Sequence, residues 1–206
     1  AGNKFCGHCC TATDTDNEPA ISPPAPQSPS EDIAETEAER RQLTVMFCDL
    51  ADSTALSEKL DPEDLRDVIS SYQNTCTGLI KKYDGYIARF MGDGILIYFG
   101  YPVASEDAAE RAVRSGLEII AAIQEIEPAE NYKLQVRVGI ATGLVVAGDI
   151  IGEGAAEEHA VLGMTPNLAA RLQSIAEPNT LVISNNTREL TGGFFDYQDL
   201  GKHELK

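Results

Sequence analysis

Two aspartates in this chain follow apolar, β-prone runs, at positions where a carboxylate could hold a divalent cation. Asp49 ends the run Leu43–Asp49, and Asp93 lies in Met91–Gly94, between two further β-prone runs of Gly85–Gly100. The second pattern predicts a tight β-hairpin, although an Asp-Gly sequence also forms hairpin turns that bind nothing. Carboxylates at rigid strand ends need little ordering to bind a hard cation. We therefore expect Asp49 and Asp93 to form a divalent metal site.

The residues after Asp49 read Leu50-Ala51-Asp52-Ser53-Thr54 and predict a strand end followed by a helix start. Backbone N–H groups at a helix N-terminus bind anions. A metal beside such a terminus is the minimum needed to bind a nucleoside triphosphate. The simpler interpretation is that Asp52 or Ser53 only caps the helix, and for Asp52 we favour it.

Three further polar residues lie in otherwise apolar segments. Arg137 interrupts a β-prone run, where it is either an ordinary exposed strand residue or a guanidinium directed at phosphate. Asn167 and Arg171 are spaced i, i+4 on a helix that begins at Thr165-Pro166, so they share one helix face. They could be a structural asparagine and a solvent-exposed arginine, but the pairing fits a shared ligand.

The order of predicted elements indicates an α+β fold. The pattern runs strand, helix, hairpin, helix, strand pair, helix and strand, around a ferredoxin-like βαββαβ core with helices packed on one sheet face. The strand pair is expected over Leu134–Ala141 and Leu144–Gly148, with a turn at Gly143. The first strand is expected over Arg41–Leu50.

Composition restricts the class of protein. The 206 residues carry a formal net charge of -17, which disfavours nucleic-acid binding because phosphate contacts need basic surface. No apolar run approaches the length of a membrane span, and the start of the chain has no signal-peptide pattern. We expect a cytoplasmic protein.

The N-terminal segments differ from the rest. Residues 1–10 contain Cys6 and Cys9 at zinc-ligand spacing, which indicates the remnant of a zinc-ribbon knuckle that could bind Zn²⁺ only in a longer chain. Residues 11–40 are acidic and rich in Pro and Ser, which is typical of a flexible linker. The catalytic domain is expected over residues 41–206.

Four motifs together resemble the class III adenylate/guanylate cyclase catalytic domain. They are Phe47–Thr54, Arg89–Gly94, Arg137–Gly143 and Gly163–Arg171. They occur in the family's order with matching spacings, over about Arg41 to Lys206. Further segments, such as Thr165–Arg171, are similar in sequence to large multidomain bacterial cyclases. Some of those proteins carry a zinc ribbon before the cyclase domain and further domains after it.

The resemblance implies a two-metal reaction. Asp49 and Asp93 match the family's metal-binding aspartates, which hold two Mg²⁺ or Mn²⁺ with help from the Leu50 carbonyl. Asn167 matches the residue that positions the ribose, and Arg171 the residue that stabilises charge on the α-phosphate. The implied activity is conversion of ATP to 3′,5′-cyclic AMP and pyrophosphate.

The resemblance also implies how phosphates are held and how the site is assembled. Arg137 and Lys206 match basic residues that bind the outer phosphates, together with the turn over Ala51, Asp52, Ser53 and Thr54. In the family the site lies at a head-to-tail dimer interface, with the metal aspartates from one subunit and the Asn/Arg pair from the other. We therefore expect a homodimer.

Two positions depart from the family pattern. Arg89 stands where the family has an adenine-recognising lysine, and Ala160 stands where it has Asp or Thr. Ala160 has no side-chain acceptor, and the planar guanidinium of Arg89 is wider than the ammonium group of a lysine. The pair does not match the guanine-reading Glu/Cys pair either, so ATP is favoured on family grounds alone.

Three alternatives follow from these residues. The domain could be a degenerate cyclase that binds nucleotide and regulates attached domains with weak or no turnover, or it could be a guanylate cyclase. A polymerase or dinucleotide cyclase of similar architecture is disfavoured, because the chain has no Gly-Gly-Asp/Glu-Glu-Phe run.

Overall fold

A computed structural model of the protein describes residues 39–126, 133–150 and 158–203. The elements in these ranges are β1 (Glu39–Leu50), α1 (Ser53–Ser57), α2 (Pro62–Lys82), β2 (Tyr86–Met91), β3 (Gly94–Phe99), α3 (Ala108–Gln124), β4 (Val136–Ile150), β5 (Glu158–Leu162), α4 (Met164–Ile175), β6 (Thr180–Ile183) and α5 (Asn185–Thr191). The predicted α+β class is confirmed. None of the described helices is both long enough and apolar enough to cross a membrane.

One mixed sheet organises the described residues. The strand order is β2-β3-β1-β4-β5, and β6 pairs with β4 in parallel, while the other ladders are antiparallel. Strand β1 is therefore central, since it pairs with β3 on one side and with β4 on the other. Its end at Leu50 is consequently surrounded by neighbouring strands, which is where a site can be built from several elements.

Helices cover both faces of the sheet. Met46 and Cys48 of β1 are buried in a core with α2 and α3, whereas Leu43 and Val45 are buried in a second core with α4. Alternate residues of a strand point to opposite faces, so these cores lie on opposite sides. The expectation of helices on one face holds for α2 and α3. Helix α4 lies on the other face because the central strand is apolar on both sides.

The prediction of a turn at Gly143 was wrong. Strand β4 continues through it, and Gly143 pairs with Leu43 in an uninterrupted ladder with β1. The glycine serves a close approach instead, because a Cβ at Gly143 would lie 2.7 Å from Oγ1 of Thr165 at the start of α4. The second half of β4 was expected to fold back on the first half, but it pairs with β5 instead.

Several predictions lie outside the described residues. They concern the knuckle at Cys6 and Cys9, most of the linker and Lys206. The first strand begins at Glu39, slightly before the expected Arg41.

Candidate active site

The two aspartates predicted to pair do meet. The ladder between β1 and β3 joins Cys48 to Ile95, which places the β2–β3 hairpin tip beside the end of β1. The tip is a two-residue loop of Gly92 and Asp93, and Gly92 has the positive φ of 67° that such a loop requires. The side chain of Asp93 lies close enough to that of Asp49 to shift its pKa. A carboxyl group at the end of β1 and one in the hairpin loop thus lie side by side.

This contact alters the acidity of Asp49. Burial is the largest cause, and the charge of Asp93 adds to it, so that the pKa of Asp49 rises to about 6. The Leu50 backbone and the charge of Arg137 act in the opposite direction and are weaker. Two carboxylates held this close repel each other when both are ionised, and a cation between them would remove that cost.

Arg137 lies directly opposite Asp49 in the ladder between β1 and β4. Its side chain is partly buried, and its Nε is a buried donor with no hydrogen-bond partner among the described residues. A buried donor without an acceptor is costly, so this group fits a site that receives an anionic ligand. A role of Arg137 in phosphate binding stays a prediction.

A polar cavity of about 480 Å³ opens beside these groups. Its lining comprises Asp49, Leu50, Asp52, Ser53, Thr54, Ala55, Glu58 and Arg137. Ala51 does not line the cavity. It is buried, and its backbone N–H donates to the Gln135 carbonyl at 2.8 Å. The N–H of Ala51 therefore already has an acceptor within the protein. Asp52 stands at the N-cap of α1 with a φ of 59° but makes no side-chain capping bond, so the simple capping interpretation fails.

The predicted pair Asn167 and Arg171 lies on α4, and both residues are exposed. Neither lines the cavity beside Asp49. Helix α4 lies very close to β4, since a Cβ at Gly139 would fall 2.2 Å from the backbone nitrogen of Gln173. In one chain, then, Asn167 and Arg171 are exposed on α4 and do not line the cavity that contains Asp49, and their expected role in a site shared between two chains stays a prediction.

The two positions expected to read the base are also apart. Arg89 is exposed on β2, and a bulge between Ile87 and Arg89 pairs it with Leu96. Ala160 lies in β5 and pairs with Gly148 of β4. Because β2 and β5 form opposite ends of the strand order, one chain does not bring these two positions together.

Two residues near the aspartates escaped the sequence analysis. Gln73 of α2 donates Nε2 to the Gly92 carbonyl at 2.9 Å, and Gln173 of α4 places Nε2 3.5 Å from Oδ2 of Asp49. Neither belongs to a motif with a chemical signature. The contacts depend on how α2 and α4 pack, so no pattern in the sequence could have identified them.

The aspartate pair suits a hard cation in part. Within the described ranges, no group of three or more His, Cys, Asp or Glu side chains could hold a metal. Asp49 and Asp93 supply carboxylate oxygens, and further ligands would have to be backbone carbonyls, water or phosphate oxygens. Mg²⁺ is commonly bound in this way, by one or two carboxylates together with substrate phosphates.

The chain belongs to the adenylate and guanylate cyclase catalytic domain family, whose model matches residues 36–206. A related protein of Rhizobium meliloti (strain 1021), itself uncharacterized, is 36% identical over 169 residues, which are 82% of this chain and 16% of that protein. The chain spans 16% and 21% of the length of the first curated relatives that it matches.

Solved structures agree with this family. The adenylyl cyclase CyaB from P. aeruginosa is similar with a TM-score of 0.75 and 30% identity, covering 82% of this chain and 89% of that one. The guanylate cyclase domain of RhGC from Catenaria anguillulae, in complex with GTP, has a TM-score of 0.76 and 27% identity, covering 82% and 92%. The neighbours thus include both adenylate and guanylate cyclases.

Proposed function

We propose that this domain converts ATP to 3′,5′-cyclic AMP and pyrophosphate at a site shared by two copies of the chain. The observation that supports this most is the contact between Asp49 and Asp93 beside a polar cavity that also contains Arg137. Two carboxylates and an unpartnered guanidinium N–H complement a triphosphate with its cation. The family assignment supplies the reaction class, which is cyclisation of a nucleotide.

In the proposed reaction, the chain's own residues bind and orient the nucleotide. Mg²⁺ or Mn²⁺ held by Asp49, Asp93 and the Leu50 carbonyl would favour ionisation of the ribose 3′-hydroxyl and neutralise phosphate charge. Arg137 binds the outer phosphates, and the backbone near Ser53 and Thr54 lines their cavity. As the bond from the 3′-oxygen to the α-phosphorus forms, the bond to pyrophosphate breaks.

The remaining roles fall to a second chain. Asn167 of one copy positions the ribose, and Arg171 stabilises the charge that develops on the α-phosphate. Support comes from the exposure of both residues and from their absence among the residues that line the aspartate cavity of a single chain. A head-to-tail homodimer would bring the two surfaces together twice, giving two equivalent sites.

The choice of ATP rests on similarity to the family. Arg89 and Ala160 match neither base-reading pair, and solved relatives include a cyclase bound to GTP. A guanylate cyclase, or a domain with little turnover that regulates attached domains, is the alternative. The chain spans only 16% and 21% of the length of two relatives, so we propose that further domains accompany it in the whole protein. We also propose that the whole protein is cytoplasmic.

The direct experiment is a cyclisation assay on purified dimer with Mn²⁺ and either ATP or GTP. We expect cyclic AMP from ATP, much less product from GTP, and near-complete loss in Asp93→Ala. Cyclic GTP as the main product would replace adenylate by guanylate cyclase, and no product from either nucleotide would favour the regulatory domain.

A further inference from the structure

Two glutamines reach the aspartate pair from opposite faces of the sheet. Gln73 lies on α2 and Gln173 on α4, helices that belong to the two separate cores. We propose that Gln73 and Gln173 are positioning residues that hold Asp93 and Asp49 in the geometry that binds the cation. This inference rests on the proposed function in one respect, namely that the two aspartates bind metal.

Gln73 acts on the hairpin tip. The tip projects outward, since Phe90 and Met91 next to it are 45% and 43% exposed. The bond from Gln73 Nε2 to the Gly92 carbonyl, at 2.9 Å, ties the loop to α2. Because Gly92 directly precedes Asp93, fixing its carbonyl restricts how the Asp93 carboxylate can move. A two-residue loop held only by its own ladder would be freer.

Gln173 acts on the rotation of the Asp49 carboxylate. Oδ1 lies toward the hairpin, 3.7 Å from where a Cβ of Gly94 would be, and Oδ2 lies 3.5 Å from Gln173 Nε2. An ionised carboxylate only accepts hydrogen bonds, so the amide nitrogen is the atom that must face it. The contact is long for a hydrogen bond, and a carboxylate is a stronger acceptor for it than a neutral group would be. Oδ1 is thereby left on the side of Asp93.

The packing of α4 makes this contact available. Gly139 on β4 lets the helix backbone come so close that a Cβ there would lie 2.2 Å from the Gln173 nitrogen. The Gln173 backbone is therefore held close to β4, and its side chain lies within reach of Asp49. Partners that orient ligating carboxylates in this way contribute substantially to metal affinity.

The experiment measures Mn²⁺ affinity, with Mn²⁺ alone as the probe, from the electron paramagnetic resonance signal of the free ion. Gln73→Met and Gln173→Met keep side-chain length but remove the donor, and Gln124→Met on α3, away from the cavity, is the matched control. We expect about tenfold weaker binding in each test variant, wild-type binding in the control, and unchanged thermal unfolding without metal in all three.

Asp93→Ala separates the two proposals. If it weakens Mn²⁺ binding while both methionine variants bind like wild type, the positioning roles are overturned and the metal site stands. If Asp93→Ala binds Mn²⁺ as wild type does, the metal site fails and the positioning roles fail with it. Should a methionine variant unfold early, Gln73→Leu and Gln173→Leu replace it, and wild-type affinity in a folded leucine variant overturns the inference.

Discussion

The carboxyl groups of Asp49 and Asp93 lie against each other, and burial together with the charge of Asp93 raises the pKa of Asp49 to about 6. The two residues are brought together by the ladder between β1 and β3 and by the two-residue loop of the β2–β3 hairpin. Near neutral pH the pair therefore carries repelling charges that a cation would offset. The consequences for stability and for the reaction can each be measured.

The first prediction concerns stability without metal. Between the ordinary carboxyl pKa of 3.8 and the folded value of about 6, the folded state holds a proton that the unfolded state has lost. The Asp49 carboxyl therefore makes stability fall as pH rises through this interval. Asp49→Asn removes the effect, so it should stabilise the metal-free protein at pH 7.5 by about 1 kcal/mol, after discounting for partial exposure.

The same substitution should give little of this gain near pH 3.5, where Asp49 is mostly protonated in both states. Urea unfolding of both proteins at the two pH values, with a chelator present, measures the difference. A gain that is equal at both pH values would mean that the ionisation of Asp49 is not its cause.

The second prediction concerns the close packing of α4 on β4. Gly139→Ala places a Cβ 2.2 Å from the Gln173 nitrogen and 2.3 Å from the Ala169 carbonyl oxygen, so the helix must move. We expect a loss of about 2 kcal/mol in the free energy of unfolding, together with a fall in cyclase activity because α4 carries Asn167 and Arg171, the residues proposed to bind the ribose and the α-phosphate.

Gly78→Ala is its matched control. Gly78 is exposed on α2, and a Cβ there meets nothing within 4 Å, so alanine should stabilise the helix by about 0.5–1 kcal/mol. Urea titrations of the two variants provide the comparison. Equal stability of Gly139→Ala and wild type would show that α4 is not held against β4 as described.

The third prediction concerns Arg137. Its Nε is buried without a partner among the described residues. Removing the guanidinium should therefore change the stability of the protein little, but should weaken binding of the triphosphate strongly. Arg137→Met should lower kcat/KM for ATP at least tenfold, the range expected for a lost charge-assisted hydrogen bond. Initial rates at varied ATP measure this.

Arg114→Met is the control for Arg137. Arg114 is exposed on α3 and pairs with Glu110 one helical turn away, so its loss should leave kcat/KM unchanged. If both methionine variants lose activity equally, general loss of positive charge is the cause and Arg137 has no particular role. If Arg137→Met retains wild-type kcat/KM, the phosphate role is contradicted.

Local patterns were sufficient to predict strand β1, the β2–β3 hairpin and the convergence of Asp49 with Asp93. Gly143 was misread as a turn because a glycine that permits close helix packing looks the same in sequence as one that permits a turn. The position of α4 on the second face depended on β1 being apolar on both sides. Gln73 and Gln173 could not be predicted at all, since their contacts follow from helix packing rather than from a motif.

The central claim, a cyclase site shared between two chains, is tested most directly by mixing Asp93→Ala with Arg171→Ala. Each variant alone should be nearly inactive with ATP and Mn²⁺, because each lacks one half of both sites. Random mixing makes half of the dimers hybrid, and each hybrid has one intact site, so the mixture should recover about a quarter of wild-type cyclic AMP formation. A mixture that stays inactive, although hybrid dimers are demonstrated, would contradict the shared site.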